Sequence, residues 1–366
     1  MYDFPKTEKF SGRNFYNPYE NISGNSYKAN LHCHSRGIFE AQKSTQKTAN
    51  LEKVYRAKGY SVLAITNHNK ITRATSTNKN FLFIPSYEFG QGFLRNHILV
   101  IGANHRSYLQ FPYIQTIHHK QGLIDNLHDD GQLVSIAHPA RSGYELSDME
   151  NLSGMNCIEV SNFGHSSTAY WDVLLSNGKP IWLTAGDDSH DITDTQRTFR
   201  SWTWIFSDYL TRDSIISALS CGRSYAVSGE NAVDNNKLVS CSLYDNLLQI
   251  QFEHPADTIR LIGQNGKLLS LVTNSNSAIY IVGKSIKYIR TEAKTGNSTI
   301  YLNPIIRFKT DYFPYREIPP IDWGATWLIR SILFLIHFTI FGLLYFSWKK
   351  NKKNKLAQKR INLQKK

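Results

Sequence analysis

The chain reads as an α/β protein: a β/α barrel, then a small β-sandwich, then one C-terminal transmembrane helix. Three observations predict this. Short apolar, β-branched runs alternate with helical segments and meet histidines or acids at their ends. A later stretch consists of short alternating runs separated by Gly, Asn and Ser. An apolar span from Trp327 to Trp348 is followed by a run of lysines.

The first strand is carried by Lys28-Ala-Asn-Leu-His-Cys-His-Ser35. Side chains of an extended strand alternate faces, so His32 and His34 point one way and Cys33 the other. Two imidazoles on one face can grip one ion, although a single H-x-H pair is more often structural. The segment Asn50–Gly59 has apolar positions at helical spacing and a glycine where a helix would end. A strand should follow, and Tyr60–Thr66 is a β-branched apolar run that finishes at Asn67-His68-Asn69. The pattern then repeats. Phe81–Glu88 ends at an acid, His97–Gly102 opens with a histidine, and Leu133–Pro139 ends at His138. Cys157–Asn162 holds Glu159 inside a strand, and Ile181–His190 ends at Asp187, Asp188 and His190.

Ligands spread over about 160 residues converge only if successive parallel strands deliver them to one rim, as barrel closure does. Each histidine alone has an ordinary structural reading. Six such sites in order do not.

The ordered set His32-Cys-His34, Thr66-Asn-His68, Glu88, His97, Ala137-His-Pro139 and Gly186-Asp-Asp-Ser-His190 resembles the PHP (polymerase and histidinol phosphatase) family. Within it the chain is most similar to the CehA/McbA-like metallohydrolase branch, through Tyr16-Asn-Pro-Tyr19, Lys28-Ala-Asn-Leu-His32 and Gly59-Tyr60. The similarity covers roughly residues 14 to 230. It implies a distorted (β/α)7 barrel holding two or three divalent ions, zinc, manganese or iron. By motif, His32, His34, Glu88 and Asp188 hold the first ion, and Glu88 bridges to a second that His68 also binds. His97, His138 and His190 hold a third. The donor types agree, since imidazoles suit these metals and a carboxylate can bridge two cations. A metal-bound hydroxide would be the nucleophile.

Two departures from the family pattern bear on the second ion. Asn67 stands where most relatives have Asp, which removes a carboxylate that could bind metal or orient an imidazole. The usual Ser-Asp-Gly after the H-x-H is replaced by Ser35-Arg-Gly-Ile-Phe-Glu40, making Glu40 a candidate replacement and putting Arg36 near the site. A mononuclear or weakly binuclear enzyme and an inactive descendant that still binds metal are both consistent with this.

Arg141, one short turn past His138, can present a bidentate fork to an anionic oxygen, which favours a phosphoester. A surface salt bridge is the plain alternative. Glu88, Asp188 and Arg141 are the catalytic candidates. Glu159 and Asn162 are placed to line the same rim, with a buried hydrogen-bonded pair the equal alternative for Glu159, and His118 and His119 are expected to be bystanders.

The net charge of +13 is mostly local. Residues 349–366 hold nine of the 42 Lys and Arg and no acid, leaving 33 basic against 29 acidic residues elsewhere. Nucleic-acid binding therefore gains little support. The Trp327–Trp348 span covers roughly 30 Å as a helix, the thickness of a hydrocarbon core. Trp323, Trp327, Tyr345 and Trp348 flank it as interface anchors. By the positive-inside rule the basic tail is cytoplasmic and the catalytic region lies across the membrane. Residues 1–10 have no apolar h-region, so either an export signal lies upstream or the protein is tail-anchored with its bulk in the cytoplasm. Cys33, Cys157, Cys221 and Cys241 show no metal or disulfide spacing.

The expected organisation is an N-terminal segment (1–25), the barrel (26–230), the sandwich (237–309), a stalk (310–326), the membrane helix (327–348) and the basic tail (349–366). The expected activity is metal-dependent hydrolysis of a small phosphoester by a membrane-anchored enzyme. Carboxyl or carbamate ester hydrolysis on the same site is the alternative, as is a metal-binding scaffold that no longer turns over.

Overall fold

The computed structural model describes the chain except residues 5–8, 23, 37–43, 45, 91–95, 112–114, 129–131, 231–232, 235, 310–317 and 365–366, and the side chains of 358–364. Glu40 and much of the expected stalk therefore lie outside the described residues. The chain forms two compact units, residues 5–318 and residues 1–4 with 319–366.

The larger unit begins with β1 (Asn14–Tyr16), β2 (Asn25–Cys33), α1 (Thr48–Ala57), β3 (Val62–Ile65), β4 (Leu82–Phe89) and β5 (Ile98–Ile101). It continues with α2 (Ile117–Asn126), β6 (Leu133–Ile136), α3 (Asp148–Asn151), β7 (Cys157–Asn162), β8 (His165–Ser166), α4 (Thr168–Ser176), β9 (Trp182–Gly186) and β10 (Ser201–Ser207). After α5 (Arg212–Ser220) and β11 (Ser224–Ser228) come β12 (Leu238–Tyr244), β13 (Leu247–Ile262), β14 (Leu268–Ile281), β15 (Tyr288–Thr295) and β16 (Ser298–Phe308).

Local sequence explains the elements that carry the site. Leu51 and Tyr55, four apart in α1, are its buried residues, and Gly59 at φ 79° takes the left-handed turn that leads into β3. All four residues of β3 are buried, as a strand covered on both faces requires. In α2 the Thr116 hydroxyl accepts from the His119 amide and the His119 ring accepts from the Thr116 amide, a capping box. His119 is thus occupied in helix capping.

The sheet runs β2-β3-β4-β5-β6-β7, with β9 paired to β7. Pairing is parallel from β2 to β4 and again from β6 through β7 to β9, but β5 is antiparallel to both neighbours. The expectation that parallel strands alone deliver the ligands is corrected here. The reversal explains why His97 opens its strand rather than closing it. The start of an antiparallel strand lies on the same rim as the ends of β4 and β6, and the Ala137 amide donates to His97 O at 3.1 Å. At this rim the chain beyond β9 returns to β2. Asp188 N donates to His32 O (2.8 Å) and His34 N to Ser189 O (2.9 Å), around a bridge between Cys33 and Ser189.

The strands of the expected sandwich are not free-standing. β16 pairs with β11, β11 with β10 and β10 with β2, so the C-terminal antiparallel strands continue the same ladder. The runs Leu247–Phe252 and Thr258–Ile262 are one strand, β13, with a register irregularity between Gln251 and Ala256. Pro255 sits in that irregularity, where a missing backbone donor costs no ladder bond. The N-terminal Tyr-Asn-Pro-Tyr motif ties the regions together. Tyr19 OH donates to Ser224 O (2.7 Å) and accepts from Asn303 N (2.6 Å), while Asn17 Nδ2 donates to Cys241 O (2.9 Å).

The smaller unit is dominated by α6 (Trp323–Gln364), whose apolar stretch is long enough to cross a membrane and has none of its residues buried.

Candidate metal centre

Six chain segments bring polar groups to the rim. His32 and His34 come from the end of β2, and His68 follows β3 by three residues. Glu88 lies near the end of β4, His97 just before β5 and His138 just after β6. Asp188 and His190 follow β9. All but His190, whose side chain is 27% exposed, are buried or nearly so, and Glu88, 1% exposed, is at the centre.

One Glu88 oxygen, Oε1, accepts from His97 Nδ1 at 2.6 Å and His138 Nε2 at 3.1 Å. The other, Oε2, lies 3.2 Å from His68 Nδ1, 3.4 Å from His34 Nε2 and 3.5 Å from His32 Nε2. Asp188 Oδ1 is 3.1 Å from His34 Nε2 and 3.4 Å from His32 Nε2.

Within this constellation, potential ligand atoms lie within 4.8 Å of one another in four groups. These are His32, His34, Glu88 and Asp188; His68, Glu88 and His97; His34, His68 and His190; and His32, His138 and Glu159. The first group is the four-residue set that the motif assigns to one ion. The trio His97, His138 and His190 is not brought together as a group among the described residues. Antiparallel β5 sets His97 against Glu88 beside His138, whereas His190 stacks on His34 with ring centroids 4.1 Å apart.

Whether these residues suit a cation is answered by their unmet valences. His32 Nε2 and Glu88 Oε2, 3.5 Å apart, are both buried without hydrogen-bond partners. Unsatisfied buried donors or acceptors are costly, and a divalent ion would satisfy lone pairs that converge this way. His32 is also prepared electronically. Its Nδ1 faces Glu159 Oε1 at 3.1 Å, an arrangement that fixes the tautomer and leaves Nε2 toward Glu88 and Asp188.

Electrostatics point the same way. Burial would raise Glu88, but the imidazoles of His68, His97 and His32 hold it well below the usual carboxylate range. Burial opposes ionisation of Asp188 too, yet His32, His34 and His138 hold it well below its ordinary value. Burial pulls His32 down, and the carboxylates of Glu159, Asp188 and Glu88 outweigh it and push the ring up to about 10.

In metal-free protein at pH 8 His32 is therefore protonated, and an incoming cation must displace that proton. The raised value stabilises the metal-free fold fully below the unfolded value of 6.5, and the benefit is lost as pH rises through about 10. Chelated protein is expected to melt at falling temperatures from pH 7 to 10, and metal loading at pH 8 to release protons. Calorimetry in buffers of different ionisation heat measures the release, and a flat profile with none would contradict the assignment.

Several supporting residues were not legible as such in the sequence. Glu159 is fully buried and, besides holding His32, accepts from His138 N (2.9 Å) and Asn162 Nδ2 (3.0 Å). Asp187 accepts from Asn30 Nδ2, Tyr55 OH and the amides of Arg200 and Ser201, locking the end of β9 to β2 and α1. Alternation after Gly186 would have separated Asp187 from Asp188, but it does not reveal these partners. Both polar atoms of Asn67 are engaged by neighbouring loops: its Oδ1 accepts from Ser35 N (2.8 Å) and its Nδ2 donates to Ser35 Oγ and Thr72 Oγ1. A carboxamide both accepts and donates there, which gives a local reason for Asn at this position.

Backbone geometry is also specialised. Ligand candidates His138 (φ 27°) and Asp188 (φ 50°) adopt left-handed conformations that cost about 1–3 kcal/mol each and persist where surroundings enforce them. Gly186 is required by close approach, because a Cβ there would lie 2.5 Å from His32 Cβ and 2.8 Å from His32 N.

Arg141 Nη1 donates to Asn162 Oδ1 at 2.6 Å and lies 3.5 Å from Asp188 Oδ2, so this arginine borders the candidate ligand cluster.

No protein-family model matches the chain, and no curated protein matches it in sequence. Among solved structures it is similar to a two-domain protein from Bacteroides vulgatus described as containing a predicted PHP-like metal-dependent phosphoesterase. The two share 12% identity with a TM-score of 0.42, over 84% of this chain and 93% of that one.

Proposed function

We propose that the protein is a membrane-anchored, metal-dependent phosphoesterase of the PHP type. The observation that carries this reading is the buried set His32, His34, Glu88 and Asp188, whose Glu88 also faces His68 and His97. A carboxylate shared between two clusters of imidazoles suits two adjacent cations. The same reading takes β2 to β7 together with β9 as a distorted seven-stranded barrel, with the C-terminal strands as a small appended β-sandwich. It takes α6 as the anchor, with its basic end in the cytoplasm.

His32, His34, Glu88 and Asp188 would hold one ion, and Glu88, His68 and His97 a second. His138 and His190 complete the ring, with room in the chemistry for a third. Zinc, manganese or iron suits this donor set. Bound there, such ions supply Lewis acidity toward a phosphoryl oxygen. The protein supplies the rest. Glu159 keeps His32 in register, Asp187 fixes the end of β9, and Arg141 offers its remaining N–H groups to a phosphoryl oxygen beside Asp188. Hydrolysis adds water across the ester P–O bond, oxygen to phosphorus and a proton to the departing alcohol.

The test is metal analysis of the full-length protein together with turnover of phosphomonoesters and neutral carboxyl esters. Arg141→Ala is expected to lower phosphomonoester turnover by about 10–100-fold, the worth of a charge-assisted contact, and to affect carboxyl esters far less. Equal losses on both would assign Arg141 a packing role. Esterase activity without phosphoesterase activity would overturn the substrate class.

A further inference from the structure

Phe163 immediately follows β7, and its backbone lies in the left-handed region at φ 34°. A bulky side chain adopts that conformation where its surroundings enforce it, and such outliers cluster at ligand-binding sites. Its amide donates to Gly186 O at 3.1 Å, which ties it to the strand that leads into Asp188.

Two arginines share this ring. The Arg141 guanidinium carbon lies 4.1 Å from the Phe163 centroid and that of Arg197 lies 5.4 Å away, while His165 meets the ring edge-on at 4.8 Å. The two cations do not have equal surroundings. Arg141 is held by Asn162 and borders Asp188, so it belongs to the metal centre. Arg197 lies further along the loop that carries His190, and its side chain is 59% exposed. Its acidic neighbour is Asp194, three residues earlier, across an exposed 3.8 Å contact. An exposed pair of that length offsets little charge.

Two guanidinium groups drawn to one ring repel each other, and an anionic group between or beyond them relieves that repulsion. With the metal centre read as a phosphoester site, Arg141 would meet the phosphoryl end of a bound ester. Arg197, on the same aromatic platform, is placed to meet whatever extends away from it.

We infer that Arg197 and Phe163 form an outer anion subsite, so that the preferred substrate carries a second anionic group on the leaving-group side of its phosphoester. This rests on reading the metal centre as a phosphoester site. Arg197 is then a specificity-determining residue, with Phe163 as its platform. The substrate class is the phosphoester of an alcohol that itself bears a phosphate or a carboxylate.

Binding of unreactive phosphonates tests this without requiring turnover. The full-length chain in detergent, loaded with Mn(II), is titrated with propylphosphonate, propane-1,3-bisphosphonate and 4-phosphonobutyrate. At least one two-headed compound is expected to bind about tenfold more tightly than propylphosphonate. The tighter of the two identifies the second group as phosphate or carboxylate. Arg197→Ala should erase the preference without changing bound metal or propylphosphonate affinity, and Arg197→Lys should restore part of it. A merely structural arginine would instead lower all three affinities together, which would overturn the inference. So would equal affinities in the unaltered protein. If propylphosphonate itself does not bind, the phosphoester reading fails first and the subsite falls with it.

Discussion

Glu88→Gln is expected to strip metal from the centre and to lower hydrolysis by about 10³-fold or more, with secondary structure retained. Glu88 Oε1 accepts from two imidazoles and Oε2 faces three more, so the centre depends on two equivalent anionic oxygens. An amide offers one neutral oxygen and turns an NH2 group, which cannot ligate, toward the other side. Loss of a Lewis-acid cation forfeits several kcal/mol of transition-state stabilisation, and each 1.36 kcal/mol is a factor of ten in rate. Metal content by mass spectrometry, initial rates and circular dichroism check the three parts of this expectation. A variant with full metal and full activity would remove Glu88 from the centre.

Ending the chain before Trp323 is expected to convert a detergent-requiring protein into one that stays soluble without detergent and keeps its metal. Every described candidate ligand lies within the compact unit formed by residues 5–318, and α6 belongs to the other unit. The apolar residues of α6 are exposed, among them Phe334, Phe338 and Leu343, each more than 60% accessible. A helix with that surface is stable in hydrocarbon and a liability in water. Sedimentation and metal analysis of the shortened chain provide the measurement. Aggregation with loss of metal would mean that α6 is an internal packing element instead.

Much of the candidate site was legible because its signals are local. A strand places residues i and i+2 on one face, so His-Cys-His announces two imidazoles pointing together wherever the strand goes. Apolar β-branched runs that end in a histidine or an acid locate a rim in the same way. Four residues at such positions, His32, His34, Glu88 and Asp188, which the family resemblance groups around one ion, have donor atoms within 4.8 Å of one another. The apolar span and the lysine-rich end of the chain are likewise properties of consecutive residues.

What the tertiary structure decided are the relations between distant segments. Nothing within Ile98–Ile101 states which way that strand runs, since a four-residue apolar run pairs equally well in either direction. Its neighbours β4 and β6 make it antiparallel, and that choice sends His97 to Glu88 and separates it from His190. Glu159 meets His32 from 127 residues away, Asp187 meets Asn30 from 157 and Asn67 meets Ser35 from 32, so their supporting roles follow from packing. The C-terminal strands show the same division. Their alternation predicts strands, whereas their joining to the ladder through β11 and β16 depends on hydrogen bonds that form only when the whole unit has folded. Residue type and short spacing determined which groups can carry the chemistry. Strand direction and long-range pairing determined which of them meet.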